Sequence, residues 1–138
     1  AGKVLPEAFT CFTLSLDNLS ELTKRFGYTV GDGVLKDFAG LVQLMGDTEG
    51  MRGYNGVGRF VVFFEECSSK KAAAMIRILD NQVEEYNSLN PEYPIRYTAA
   101  WATTEETDTY EIRELLRLSQ KKWKQMEKEK KDKTEEET

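Results

Sequence analysis

The sequence predicts an α+β fold in which helices pack against a largely antiparallel sheet. The stretch 51–66, MRGYNGVGRFVVFFEE, has two apolar runs around a glycine-containing turn, which is typical of a β-hairpin. Its second run, Phe60 to Phe64, is apolar throughout, which indicates a central strand covered on both faces. Amphipathic segments with helical spacing precede and follow this hairpin, so helices and strands are both expected within one domain.

The composition fits one globular domain and excludes several kinds of site. A chain of 138 residues, 40% of them hydrophobic, is long enough to bury a core. Cys11 and Cys67 follow no metal-binding spacing, so we expect buried free thiols in a reducing compartment. The sequence has no histidine, which removes the commonest general base and the commonest transition-metal ligand. The net charge of -5 argues against nucleic acid as a partner, and no apolar run is long enough for membrane insertion.

The first half of the domain reads as one strand followed by two helices. Residues 8–16, AFTCFTLSL, alternate in polarity and are rich in residues that favour strands. Asp17 and Asn18 follow as candidate N-caps of the first helix, which is expected to stop at Gly27. The second helix is expected to start near Asp32, where an aspartate would cap its first turn.

The second half adds the hairpin, a long helix, one more strand and a last helix. Ser68 is a candidate cap of the third helix. Residues 95–102, IRYTAAWA, read as the fourth strand. Asp108 and Glu111 have the spacing of a capping box at the start of the last helix.

The resulting domain organisation is simple. Residues 1–7 read as a linker stub, 8–127 as the domain, and 128–138 as a charged tail, for which we expect a fraying helix end and disorder. The order β-α-α-β-β-α-β-α predicts a ferredoxin-like α+β sandwich, with the helices packed on one face of the sheet.

Five stretches of the chain carry a family resemblance. They are Ser15-Leu16-Asp17, Gly27-Tyr28-Thr29-Val30-Gly31-Asp32, Gly56-Val57-Gly58-Arg59-Phe60, Thr98-Ala99-Ala100-Trp101-Ala102, and the helix from Leu115 to Glu127. In their order and spacing, over roughly residues 8 to 130, they resemble a GGDEF domain, the catalytic domain of bacterial diguanylate cyclases. This resemblance implies the GGDEF variant of the predicted sandwich.

The resemblance also implies that the metal site of the family is missing. Magnesium in proteins prefers oxygen ligands, chiefly carboxylates. The family supplies them from a strand-one aspartate and from the third position of its signature, which are Ser15 and Gly58 here. The acidic fourth position is Arg59, which reverses the charge. The second signature glycine is Val57, whose branched side chain would crowd a guanine beside Gly56.

Other nucleotide-contact positions have changed as well. The guanine-reading asparagine of the family falls on Thr23, the phosphate-holding lysine of its last helix falls on Glu127, and the arginine of its feedback site is absent from 47–50. Asp17 and Asp32 are retained, but each also has the position of an ordinary N-cap. Arg59 could grip a phosphate, together with backbone amides around the hairpin glycines, or it could be a solvated side chain.

The resemblance therefore leads to the hypothesis of a catalytically inactive GGDEF-type domain. Its vestigial nucleotide-site positions are Ser15, Asp17, Thr23, Asp32, Gly56, Val57, Gly58 and Arg59. It would act as a regulatory or protein-interaction module in a cytoplasmic bacterial signalling protein, contacting neighbouring domains or a second copy, without a cofactor. The alternative is a non-catalytic receptor for GTP or cyclic di-GMP with magnesium; an active cyclase is the least favoured reading. If the pocket is intact, Ser15→Asp with Gly58→Glu is expected to increase magnesium-dependent GTP binding.

Overall fold

A computed structural model describes residues 8–45, 51–54, 58–107 and 110–137 of the chain. The elements are β1 (Thr10–Leu16), α1 (Leu19–Phe26), α2 (Tyr28–Gln43), β2 (Met51–Tyr54), β3 (Arg59–Phe64), α3 (Ser69–Leu89), β4 (Tyr97–Thr103) and α4 (Ile112–Glu137), with a short 3₁₀ helix at Thr104–Glu106. This order confirms the predicted α+β fold. The expected linker stub at 1–7 and the segment 47–50 lie outside the described residues.

The sheet has four strands in the order β2-β3-β1-β4, and every neighbouring pair is antiparallel. The hairpin is confirmed by the pairing of β2 with β3, and β3 lies inside the sheet as its apolar run predicts. In β1, Ser15 is paired with Arg59 on one side and with Thr98 on the other. This register places the end of β1, the start of β3 and the start of β4 next to one another.

Helices cover both faces of the sheet, so the expectation of helices on a single face is wrong. One face buries residues such as Phe12 and Val62 in the main core, with α1, α2 and α3 packed over it. The opposite face presents Cys11 and Ala102, which pack against Leu115 of α4. The alternation along β1 explains the difference, because successive residues of a strand point to opposite faces and both sets here are apolar or small.

Neither candidate cap of α1 works as a cap, and α2 starts earlier than predicted. Asn18 lies at the N-cap position without a capping bond; its amide instead bridges Pro94 O at 2.7 Å and the Arg96 amide at 3.1 Å. Helix α2 begins directly after Gly27, so Asp32 lies in its second turn and caps nothing. The reason is that Gly27, with a φ of 95°, breaks the chain direction sharply enough for a new helix to start at once.

Two other helix starts carry a side-chain cap in the structure. The Ser68 side chain accepts a hydrogen bond from the Lys71 amide at 3.1 Å, which confirms that cap. Asp108 lies outside the described residues, but a capping box is present one turn earlier, where Thr103 and Glu106 enclose the 3₁₀ helix.

Helix α4 continues to Glu137, through the segment for which a fraying end and tail were expected. Two contacts stabilise the first turn of this extension. Lys131 pairs with Glu127 at 3.1 Å one turn away, and Lys130 reaches back to the backbone oxygen of Tyr97 at 2.8 Å. Nowhere in the described part of the chain is a helix long and apolar enough to cross a membrane.

Candidate functional site

The residues predicted from strand one, the hairpin and β4 meet at one end of the sheet. Ser15 near the end of β1, Arg59 at the start of β3 and Thr98 in β4 are register neighbours. Helix α4 crosses the same place and brings Trp123 against them. An open groove of about 1350 Å³ lies here, between the β1 end with α1 on one side and the last three turns of α4 on the other.

Ser15 is buried and its hydroxyl is fully engaged. The indole Nε1 of Trp123 donates to Ser15 Oγ at 2.8 Å, and Ser15 Oγ donates in turn to Asp17 Oδ1 at 2.6 Å. The side chain at the first family metal position therefore ties α4 to β1. As a neutral hydroxyl that already gives its proton away, it is a poor ligand for a hard cation.

Asp17 is held by two hydroxyl groups and does not cap α1. Its second oxygen, Oδ2, accepts from Thr98 Oγ1 at 2.5 Å, while its backbone amide donates to Arg96 O at 2.8 Å. Lys130 completes the network by donating to Thr98 Oγ1 at 2.9 Å. The predicted capping role of Asp17 is therefore wrong, and its side chain instead joins β1 to β4.

Arg59 stacks on the same indole that bonds Ser15. Its guanidinium carbon lies 4.5 Å from the centroid of the Trp123 ring, which is within cation–π range. The side chain is exposed, so its charge remains accessible from the groove. The fourth signature position thus holds a positive charge fixed over an aromatic face.

Gly58 has a backbone conformation that resists side chains. Its φ is +77°, and its carbonyl accepts from the Leu16 amide at 2.8 Å, which fixes the hairpin against β1. A Cβ added here would lie 3.2 Å from Leu19 Cδ2 and 3.4 Å from Leu16 O. Gly56 and Val57, the other predicted hairpin positions, lie outside the described residues.

Of the two predicted base-reading positions, one borders the groove and the other does not. Thr23 borders the groove, but its hydroxyl donates to Leu19 O of its own helix at 2.8 Å. Asp32 is not among the residues that line the groove; it forms an ion pair with Lys36 at 3.0 Å on the surface of α2. Its hydrogen bond to Lys36 raises the pKa of that lysine.

Sequence reasoning missed the partners that complete this site. Trp123 lies within the family-like last helix, Leu115 to Glu127, and Thr98 within the matching fourth strand, and neither pattern gives these side chains a role at the site. Lys130 fell in the expected tail. The helical phase from Ser119 through Trp123 to Lys130 was the available signal, because it continues one face of α4 past the end of the sheet. In the described ranges, no group of three His, Cys, Asp or Glu side chains is arranged to hold a metal.

Comparisons with known proteins agree on the fold. The family model described as "Diguanylate cyclase, GGDEF domain" matches residues 4–133. The chain is similar to the active GGEEF domain of a diguanylate cyclase from Vibrio cholerae, with a TM-score of 0.78 and 19% identity over 89% of this chain and 78% of that one. It is also similar to an EAL/GGDEF domain protein from M. capsulatus, with a TM-score of 0.70 and 14% identity over 94% of this chain and 84% of that one.

The FimX GGDEF domain from Pseudomonas aeruginosa has a TM-score of 0.67 and 17% identity, over 84% of this chain and 72% of that one. A search of curated proteins finds no match. At these identities the solved structures establish the fold, and the family model, which spans nearly the whole chain, establishes the membership. The chain belongs to the GGDEF family of diguanylate cyclase domains.

Proposed function

We propose that this chain is a catalytically inactive GGDEF-type domain that serves as a regulatory or protein-interaction module in a cytoplasmic bacterial signalling protein. The observation that carries the proposal is the closed network around Ser15. Its hydroxyl is bonded to Trp123 and to Asp17, so the first vestigial metal position is part of the packing between α4 and β1.

The charges of the site oppose metal-assisted chemistry. Joining two GTP molecules requires a divalent cation to neutralise phosphates beside the reacting hydroxyl. Gly58 contributes no ligand, and Arg59 adds a positive charge where a cation would have to bind. Asp17 brings its carboxylate into the network, and both of its oxygens already accept hydrogen bonds from hydroxyls. Other carboxylates such as Glu21 and Glu127 line the groove, but within the described residues no three such side chains are grouped to hold a metal.

The interaction role is proposed because the fold of the family is retained, whereas the carboxylates of its metal site are replaced by Ser15 and Gly58. The GGDEF scaffold remains complete across the described elements, with a packed core on both faces of the sheet. Under this proposal the partners are neighbouring domains of a longer protein or a second copy of the chain, and no cofactor is needed.

A second candidate function is a receptor that binds a nucleotide without turning it over. The observation that favours it is the set of cations that line the groove, of which Arg59 and Lys130 lie beside the Ser15 network and can contact phosphate. The base-reading positions argue against it, because the Thr23 hydroxyl is turned to its own helix and Asp32 pairs with Lys36 outside the groove.

A turnover assay and a titration on the folded chain test both functions. GTP with magnesium or manganese is expected to give no cyclic di-GMP by chromatography, while an active diguanylate cyclase assayed in parallel does. Calorimetric titration with GTP and with cyclic di-GMP is expected to give no binding heat. Formation of cyclic di-GMP would overturn the proposal. Micromolar binding that is lost in Arg59→Ala and in Lys130→Met would favour the receptor instead.

A further inference from the structure

The exposed side of α4 carries a stripe of four cations. Arg117, Lys121, Lys124 and Lys128 are spaced by four, three and four residues, which places them along one side of the helix. All four are exposed, whereas Leu115, Ser119 and Trp123 face the sheet and are buried. We call these four residues the basic stripe. It extends over 12 residues, from Arg117 to Lys128, or about 16 Å along the helix axis.

The three lysines of the basic stripe lack the ion pairs or hydrogen bonds that several other cations of α4 have. Lys122 pairs with Glu106, Lys131 pairs with Glu127, and Lys130 donates to Tyr97 O and Thr98 Oγ1. By contrast, Lys121, Lys124 and Lys128 have no ion-pair partner anywhere in the ranges that the structure describes.

Within the basic stripe, each neighbouring pair is three or four residues apart and carries the same charge. Such pairs oppose helix formation, so the stripe weakens the helix that bears it. Arg117 has a partial counter-charge, because Glu114 lies 3.6 Å away. An anionic partner that binds along the basic stripe would neutralise these repelling charges.

The basic stripe borders an open groove. All four stripe residues border an open groove of about 900 Å³, which is also lined by Arg59 and Val61. Among the residues that the structure describes, five cationic side chains and one carboxylate, that of Glu114, line it, in a chain whose net charge is -5. Val61 adds an apolar surface to the groove, which an aliphatic side chain lying between the carboxylates of a partner would contact.

We propose that the basic stripe of α4 docks an acidic segment of a partner protein, whose carboxylates follow the same four-three-four spacing. This inference rests on the proposed interaction function and names the surface that carries it. Opposite charges at matching positions would steer the encounter and fix its register. The partner's carboxylates would also remove the repulsion along the stripe.

Two other anionic partners fit the structure less well. A membrane surface binds amphipathic helices through their apolar face, and that face of α4 is buried against the sheet. Nucleic acid is disfavoured by the overall negative charge of the chain, and the indole of Trp123, the aromatic ring of this groove, is buried rather than open for stacking on a base. An acidic protein segment meets the charge, the length and the groove together.

The test is fluorescence anisotropy with the full chain and a labelled 18-residue helical peptide that carries glutamates at four-three-four spacing among alanines and leucines. The wild-type chain is expected to bind it at low salt, and binding should weaken at least tenfold between about 50 mM and 300 mM salt. Lys121→Glu with Lys124→Glu should weaken binding at least tenfold. The matched control, Lys70→Glu with Arg77→Glu on the exposed surface of α3, should stay within twofold of wild type.

Several results would overturn the proposal. These are absence of peptide binding by the wild-type chain, equal binding of a glutamine version of the peptide, and equal losses in the stripe and control variants. Tighter binding of an 18-base-pair DNA or of phosphatidylglycerol vesicles would reassign the stripe to another class of partner. Lys121→Gln with Lys124→Gln repeats the measurement without new charges. The assay contains no nucleotide, so cyclic di-GMP formation elsewhere would refute the proposed function and leave this result unchanged.

Discussion

The indole of Trp123 donates a hydrogen bond to Ser15 Oγ at 2.8 Å, and both residues are buried between α4 and β1. Arg59 stacks on the outer side of the same ring. The position that supplies a metal ligand elsewhere in the family, according to the resemblance, thus holds two elements of this domain together. Ser15 is thus part of the packing between α4 and β1, and its contribution can be measured as a change in the free energy of unfolding.

Trp123→Phe is therefore expected to destabilise the fold by about 1–3 kcal/mol, because it removes the buried N–H and leaves the Ser15 hydroxyl with one partner fewer. Urea unfolding followed by far-UV circular dichroism measures this change without depending on tryptophan emission. Ser15→Ala should cost a similar amount, since it leaves the indole N–H unsatisfied. In the double variant the two effects should be less than additive by about 0.5–1.5 kcal/mol. Strict additivity would mean that the hydrogen bond does not form.

Two glycines of α2 give opposite predictions for the same substitution. A Cβ on Gly31 would overlap Thr23 Oγ1 and lie 3.3 Å from Thr23 Cβ, where α1 and α2 approach closely. Gly31→Ala should therefore destabilise the chain by about 1–3 kcal/mol. Gly33→Ala, two residues further along the same helix, meets nothing within 4 Å and should stabilise it by about 0.5–1 kcal/mol. Thermal melts of both variants settle the comparison; equal shifts would contradict the close helix contact.

The sequence predicted the elements of this fold well because its signals were strong and local. The hairpin, the apolar run of β3 and the serine cap of α3 all follow from residues near each other in the chain. It failed where a local signal had a competing long-range partner. Asn18 looks like a cap, yet its amide bridges the backbone of Pro94 and Arg96, far along the chain.

The same reason limits what could be predicted of the site. The substitutions at Ser15 and Gly58 are visible in the sequence, since they occupy positions of a recognisable motif. The bond from Trp123 to Ser15 spans 108 residues and depends on which face of the sheet α4 covers. Helical periodicity places Trp123 on the buried side of α4, but it does not determine which face of the sheet that helix covers. The contact between Trp123 and Ser15 could therefore be seen only in the tertiary structure.

Both thiols are expected to be unreactive in the folded chain. Burial raises the pKa of Cys11 from 9.0 to about 11, with the Ser119 hydrogen bond acting in the opposite direction. Burial likewise raises the pKa of Cys67. Because the thiolate is the nucleophile, iodoacetamide at pH 8 should label neither residue until urea is added. Mass spectrometry of the native and unfolded chain gives the answer, and rapid labelling of the native chain would contradict the burial.

The raised pKa values also predict an alkaline loss of stability. A thiol whose pKa is higher in the folded state contributes stability that is complete below its unfolded pKa, near 9, and is lost as the pH rises toward about 11. The Cys11 share is about 1–3 kcal/mol at most. Cys11→Ala should therefore show a shallower decline between pH 9 and 11. The decline should not vanish, because burial and hydrogen bonds to carboxylates raise the pKa of Tyr86 and Tyr97 too.

Restoring the family carboxylates tests whether the site is closed. From the sequence alone, Ser15→Asp with Gly58→Glu should increase magnesium-dependent GTP binding if the pocket is intact. The structure changes this expectation. A carboxylate at position 15 would face Asp17, whose Oδ1 lies 2.6 Å from the present hydroxyl, and would displace the indole of Trp123. A side chain at position 58 would have to adopt a φ of +77° and crowd Leu19.

We therefore expect the double variant to be less stable than wild type by about 2–4 kcal/mol and to gain no GTP binding. The reason is that it introduces negative charges at the buried positions 15 and 58, together with a strained backbone at position 58. Calorimetry with GTP and magnesium, with thermal melts in 10 mM magnesium, measures both effects. Asn81→Asp with Gly40→Glu is the matched control, since it adds the same charges at exposed positions of α3 and α2 outside the groove and should melt near wild type. A magnesium-dependent rise in the melting temperature of the Ser15→Asp, Gly58→Glu variant alone would show that the groove can still be opened to a metal, because a ligand that binds only the folded state stabilises it.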